Sequence, residues 1–458
     1  MSNIQSEFST EDYREIDRAH VWHPLFQHEL LNQTNLIVFK EAHGTTIVDS
    51  DGHEYLDAYS GLWNVIVGYG RQEIAQAVYE QTQQLHYYPH TQINIPATLL
   101  SERLAELLPG NLNHVYFSNS GSEANETAIK IARQYGRQRY PGQNRYKIIA
   151  RYRGYHGFTY GAMSATGQVL RKKPFEPLAP GFLHVQPPYC YRCPFDLNDS
   201  DCAMFCADEI ERVIQWEGAE TVIAVIAEPI IGGGGVIVPP DDYLPRLREI
   251  CDRYGILLIL DEVITGFGRT GTLFACERWG VLPDIITLAK GLTSGYVPLG
   301  ACVVSDEVFE GFLGAPEEER EFAQVCTYAG HPVACAAGLA NLKIISDERL
   351  WENSERVGTY LLDKLDTLRS MPIVGDVRGK GLMLAIELVK NGKSHLDTAK
   401  TNQIVAAVRE KGILIGKISR AVDEPENILF VAPPLILTVE EADRIFETLR
   451  EVLANFST

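Results

Sequence analysis

The chain has 458 residues, 45% hydrophobic and 22% charged, which is room for more than one core at ordinary globular composition. Its formal net charge of −19 argues against a nucleic-acid or anionic-membrane surface. The polar start, MSNIQSEFSTEDYREIDRAH, reads as neither a secretory signal nor a transit peptide, and no apolar run approaches the ~18 residues of a membrane helix.

In chain order, GTTIVDSDGHEYLDAYSG reads as a hairpin with the turn DSDG, through which the N-terminal segment joins an outer unit. HVYFSN (114–119) is a short apolar run ending in turn residues, and SGSEANETAIKIARQYGRQ (120–138) continues with helical periodicity. Then come YKIIARY, TVIAVIAEPI, YLPRLREICDRYG, ILLILDEV, DIITLAKG and GACVVS. Near-continuous Ile/Leu/Val strands alternating with helices predict an α/β fold whose mainly parallel sheet is buried on both faces.

Nine cysteines are spread along the chain, which favours reduced thiols in the cytoplasm. Four of them, Cys190, Cys193, Cys202 and Cys206, cluster in YCYRCPFDLNDSDCAMFC. The first pair has zinc-knuckle spacing, but the second is C-x-x-x-C inside an enzyme-sized chain. Buried or redox-sensitive thiols are the favoured reading, and no metal ligand is assigned. Farther on, IVGDVRGKGLMLAIELV and ILFVAPPLILT read as strands of a smaller mixed unit. The last helix, TVEEADRIFETLREVLANF, opens on a capping box of Thr438 and Glu441. Its residues Ala442, Ile445, Phe446, Leu449, Val452, Leu453 and Phe456 share one face. The expected organisation is an N-terminal segment (1–70) joining the small domain, a large domain (71–335) and a C-terminal small domain (336–458).

Four places carry chemistry. The run ILLIL ends on Asp261, followed by Glu262, and ligands of open α/β sheets bind at the carboxyl ends of strands. Taken alone, a structural cap or salt bridge explains Asp261 as well as a ligand does. The next strand, DIITLA, leads into Lys290, and a lysine in an apolar pocket has a lowered pKa and becomes a nucleophile toward aldehydes. FSNSGSEANE ends a strand and opens a helix. Its free N–H groups and the hydroxyls of Ser120 and Ser122 favour an anion, with Gly121 allowing close approach. In YRGYHGFTYGA, Tyr155 and His156 sit in a Gly-flanked loop where an aromatic can stack on a flat ligand. The GGGG at 232–235 lacks a following Lys-Ser/Thr and reads as a flexible turn. Together the four places describe a phosphate, a flat ring with a cationic nitrogen, and an aldehyde that Lys290 would hold as a Schiff base. That ligand is pyridoxal 5′-phosphate, with Asp261 keeping the ring nitrogen protonated.

The motifs NSGSEANE, YHG, AEPIIGGGG, LDEVITGFGRTG, AKGLTSGYVPLGA and TYAGHP, in that order, resemble those of the class III pyridoxal-phosphate-dependent aminotransferases. The resemblance runs from VWHP to APPL, nearly the whole chain. It implies the fold-type I architecture, with a seven-stranded sheet in the large domain and a smaller α+β domain built from both termini. It also implies that Lys290 is the Schiff-base lysine and Asp261 the partner of the pyridine nitrogen. Val263 and Tyr155 then flank the ring, Gly121 and Ser122 hold the phosphate, and Glu228 buttresses the site near the cofactor oxygen. Thr327 would reach the phosphate of the partner subunit, which implies a homodimer and leaves open whether dimers pair into tetramers. Trp63, in GLWNVIVGYG, would be a substrate-pocket aromatic.

Two departures bear on substrate. Ornithine- and GABA-type members carry a glutamate where this chain has Gly233. Many amine–pyruvate members carry a mobile arginine where this chain has Gly416, with Lys417 and Arg420 nearby. The form LIGK, the Cys-rich insertion and EPIIGGGGV look more like the taurine–pyruvate branch of omega-transaminases. The expectation is a two-stage ping-pong transfer from an ω-amino acid or amine to pyruvate, a 2-oxo acid, with Lys290 as general base and Arg420 meeting the acceptor carboxylate. An aminomutase or decarboxylase of the same class stands as the alternative. A cofactor-free Schiff-base lyase would leave the phosphate cradle and Asp261 without a role, and a regulator would need a DNA-binding segment that is not visible.

Overall fold

The computed structural model describes residues 8–32, 34, 36–197 and 202–457. Its centre is a seven-stranded sheet in the order Leu112–Ser118, Gly300–Ser305, Ile285–Leu288, Leu257–Asp261, Val222–Ala227, Lys147–Arg151, Phe182–Val185. Gly300–Ser305 is antiparallel to both neighbours, and every other neighbouring pair is parallel. All residues of Val222–Ala227, Leu257–Asp261 and Ile285–Leu288 are buried, as near-continuous apolar runs require. Helices cover the sheet; one, Gly121–Arg139, starts directly after the first strand and is capped by Ser120, whose Oγ accepts from the Glu123 N–H. The doubly covered, mainly parallel sheet is the fold-type I architecture expected from the sequence.

Two smaller sheets lie outside it. The expected hairpin forms over Thr46–Asp49 and Glu54–Asp57, joined by Phe39–His43, and Gly52 takes φ +86° in its turn. Ile413–Leu414, from the far end of the chain, pairs parallel with Leu56 and Asp57, so the two termini share this sheet. Val374–Lys380, Met383–Lys390, Ile428–Val431 and Gly416–Lys417, with Ser394–His395 pairing Met383–Lys390, form the other, which is antiparallel throughout. The boundary expected at 335/336 falls inside the helix Pro332–Asp347. The final helix, Val439–Phe456, has the expected capping box and buries the expected face from Ala442 to Leu453. No helix among the described residues is long and apolar enough to cross a membrane.

Candidate active site

Because the strands around Leu257–Asp261 run the same way, their carboxyl ends bring distant segments to one edge of the sheet. Leu112–Ser118 delivers residues 119–122, Lys147–Arg151 delivers 155–157, Val222–Ala227 delivers Glu228, and Leu257–Asp261 delivers Asp261 and Val263. Ile285–Leu288 delivers Lys290. Together they enclose a cavity of about 340 Å³ lined by Ser120, Gly121, Ser122, Tyr155, His156, Glu228, Asp261, Val263 and Lys290. Asn64, Asn119, Asn125 and Thr293 line it too.

The strand before Lys290 stops at Leu288, one residue short of the end of the apolar run DIITLA. Lys290 then opens a single 3-10 turn at φ +43°, a left-handed conformation that a non-glycine residue adopts at a cost. The turn is clamped by Asn341, whose Nδ2 donates to the carbonyls of Gly291 (2.8 Å) and Leu292 (3.0 Å). No hydrogen bond or ion pair to the Lys290 amine is made by the described residues. Protein surrounds the amine on every side except the cavity, and this burial pulls it below the usual lysine range; the carboxylates of Asp261 and Glu228 oppose the shift.

Asp261 is 3% exposed and makes no ion pair with a lysine or arginine among the described residues. Three donors satisfy it instead: Asn125 Nδ2 at 2.7 Å, His156 Nδ1 at 2.8 Å and the Val263 N–H at 3.0 Å. Asn125 in turn donates to the His156 carbonyl (2.8 Å) and accepts from Thr287 Oγ1 (2.8 Å), so one buried amide fixes helix, loop and two strands together. Sequence reasoning missed Asn125. Its only signal is a poor helix former in mid-helix, one turn after the glycine of the anion cradle.

Glu228 accepts from the N–H groups of Tyr155 (2.9 Å) and Gly232 (2.8 Å), and burial raises its carboxyl above the usual range. Gly121 and Ser122 begin the 19-residue helix, and their N–H groups bond to nothing among the described residues. A Cβ on Gly121 would stand 2.7 Å from Val263 Cγ1, so only glycine leaves this floor open. The GGGG turn is packed rather than flexible. A Cβ on Gly232 would meet Ile264 Cδ1 at 2.7 Å, and one on Gly234 would collide with the backbone of Arg153.

Three expected site residues lie elsewhere. Trp63, at φ +63°, turns away and stacks on Phe430 (4.1 Å between centroids, 18° between planes), which leaves its neighbour Asn64 on the cavity. Arg420 is exposed and lines a separate cleft of about 20 Å³ with Arg153, Glu424 and Glu426. Thr327 is exposed outside this chain's cavity, its carbonyl accepting from Tyr87 Oη at 2.9 Å. Of the clustered cysteines, Cys190 is exposed, Cys193 and Cys202 are half-buried, and Cys206 is buried with its thiol pushed up to about 12. The Cys202 and Cys190 thiols add to the rise in Cys206, but no three of these sulfurs lie within 4.8 Å of one another. Among the described residues only Asp49, Asp51 and His53 bring three potential metal-binding atoms within 4.8 Å.

Comparison with known proteins agrees with this geometry. The family model described as aminotransferase class-III matches residues 30–453. The chain is 49% identical to an uncharacterized aminotransferase of Bacillus subtilis, over 98% of both chains. It is 42% identical to a taurine–pyruvate aminotransferase of Bilophila wadsworthia, over 94% of both. The crystal structure of a thermostable (S)-enantioselective omega-transaminase from Thermomicrobium roseum superposes with a TM-score of 0.91. That protein is 43% identical, and the match covers 98% of this chain and 99% of that one.

Proposed function

This chain belongs to the class III aminotransferases, a pyridoxal-phosphate-dependent family, and on that premise we propose that it moves an amino group from an ω-amino acid or simple amine to pyruvate, giving alanine. One observation carries the reading: a lysine amine, enclosed except toward the cavity and unpaired among the described residues, shares that cavity with a carboxylate and an open helix start. The likeness to the taurine–pyruvate enzyme supports pyruvate as acceptor, and Gly233 in place of a glutamate argues against ornithine- and GABA-type donors.

The residues present fit the cofactor. Ser120, Gly121 and Ser122 offer open N–H groups and a helix dipole to its phosphate, on a floor that a Cβ would fill. Tyr155 and Val263 would bound the two faces of its ring, Asp261 would accept from the ring nitrogen, and Glu228 would stand beside the ring oxygen. Lys290 would hold its aldehyde carbon. When bound, the cofactor supplies an electron sink for the carbon that loses its proton. The chain's own residues do the rest. His156 and Asn125 aim the Asp261 carboxylate by donating to it. Lys290, whose charged form burial disfavours, would take the proton from the carbon bearing the donor's nitrogen and return it to the carbon on the other side of that nitrogen. The same residues run the second half in reverse, on the 2-oxo acid.

The segment 87–99 packs on the loop that holds Thr327, through Tyr87, and through Asn94 Nδ2 to the Gly330 carbonyl at 3.0 Å. Together they expose Ile93 (88%), Ile95 (74%) and Val325 (74%), a surface that a second copy would cover. We include in the proposal a homodimer, with Thr327 of each copy completing the phosphate site of the other, and a cytoplasmic location. The test is incubation of purified holoenzyme with taurine, β-alanine or a simple amine plus pyruvate, followed by assay of alanine. Alanine with at least one donor supports the reading; its absence with every donor turns it toward an aminomutase or decarboxylase.

A further inference from the structure

Arg171 lies on the short helix Val169–Lys172, with its guanidinium carbon 5.6 Å from the centroid of the Tyr155 ring. Tyr155 lines the Lys290 cavity, so this cation stands one ring away from the reacting carbon's chamber. One of its N–H groups donates to the Ser419 carbonyl at 3.1 Å. Its Nε is buried and bonded to nothing among the described residues. No carboxylate among those residues lies within ion-pair distance, and burial pulls the group below the usual arginine range. The Tyr155 and Tyr59 hydroxyls and the more distant Glu426 compensate only in part, while Arg420, next to Ser419, adds positive charge.

An arginine keeps its charge in proteins, so a half-buried one without a counter-ion is costly until an anion arrives. Its planar fork matches the two oxygens of a carboxylate or sulfonate. We propose that Arg171 grips the acidic end of the substrate, the carboxylate of the 2-oxo acid and the carboxylate or sulfonate of an ω-amino acid donor. The acid stands one bond farther from the reacting carbon in β-alanine or taurine than in pyruvate, a difference of about 1.5 Å that a long side chain absorbs. Arg420, exposed in its separate cleft, adds positive charge near Arg171, and Arg171 holds the anion. The inference rests on the transaminase reading above and names the substrate class of that site.

The test compares R171Q, R171K and R420Q with wild-type holoenzyme, using pyruvate and the neutral acceptor butanal with one amine donor. In R171Q the ratio of KM for pyruvate to KM for butanal is expected to rise about 10- to 100-fold, with part of the rise reversed in R171K. An unchanged ratio, with both acceptors losing equally or neither losing, overturns the proposal. A second readout needs no turnover: calorimetric binding of propionate, an unreactive carboxylate. Propionate that binds wild type and not R171Q supports the anion site even if wild type makes no alanine, in which case the transaminase reading alone falls. Propionate that binds both proteins alike, or neither, overturns the site.

Discussion

Lys290 has a stability consequence as well as a chemical one. Burial holds its amine below the usual range, whereas in the unfolded chain it titrates near 10.4. Between those two values the unfolded chain binds more protons, so stability rises with pH. Cofactor-free K290M is therefore expected to melt above cofactor-free wild type at pH 7, with the gap narrowing toward pH 10. Equal melting points across that range in thermal scans would contradict a buried, unpaired amine. The same substitution is expected to cut alanine formation by at least about 10²- to 10⁴-fold, the usual worth of a positioned base. Lys290 and Asp261 were legible in the sequence because each is a charge that ends an apolar strand, where burial demands a reason. Asn125 and Arg171 were not. Nothing in a lone amide or a loop arginine says which buried groups it will meet until the strands are in order.

At the scale of the element, the helix Gly121–Arg139 serves both ends of the ligand. Its first N–H groups make the cradle, and one turn on, Asn125 steadies Asp261. G121A would drive a Cβ to within 2.7 Å of Val263, and it is expected to weaken retention of pyridoxal phosphate about tenfold in an absorbance titration. Unchanged affinity would move the phosphate away from this helix start. N125A removes one of three donors from Asp261 and strands the Thr287 hydroxyl, for an expected loss of about 1–3 kcal/mol in denaturant unfolding. No loss would mean that the buried network is not strained by its removal. The helix and its cap could be read from SNSGSEANE. The GGGG turn was misread because composition cannot tell a flexible glycine from one crowded by Ile264 and the Arg153 backbone.

For the whole molecule, the parallel sheet was legible from its doubly buried apolar strands, and the joining of the N-terminal segment to the outer unit from its hairpin, while a small domain built from both termini was what the motif resemblance implied. The antiparallel character of the small sheet and the placement of Trp63 against Phe430 depend on long-range pairing that no local pattern encodes. The exposed Ile93, Ile95 and Val325 lead to a test at this scale. The double variant I95E/V325E is expected to sediment as a monomer and to lose alanine formation, because each site would lack the other copy's Thr327. A fully active monomer would remove the shared site from the account. The central claim, that Lys290 and its cavity make this chain a transaminase, is tested most directly by the visible absorbance of purified holoenzyme through one cycle. The cofactor's visible band is expected to fade on adding taurine, β-alanine or a simple amine, and to return on adding pyruvate with alanine formed in equal amount. A band that no amine alters, or a protein that acquires no band when incubated with the cofactor, would contradict it.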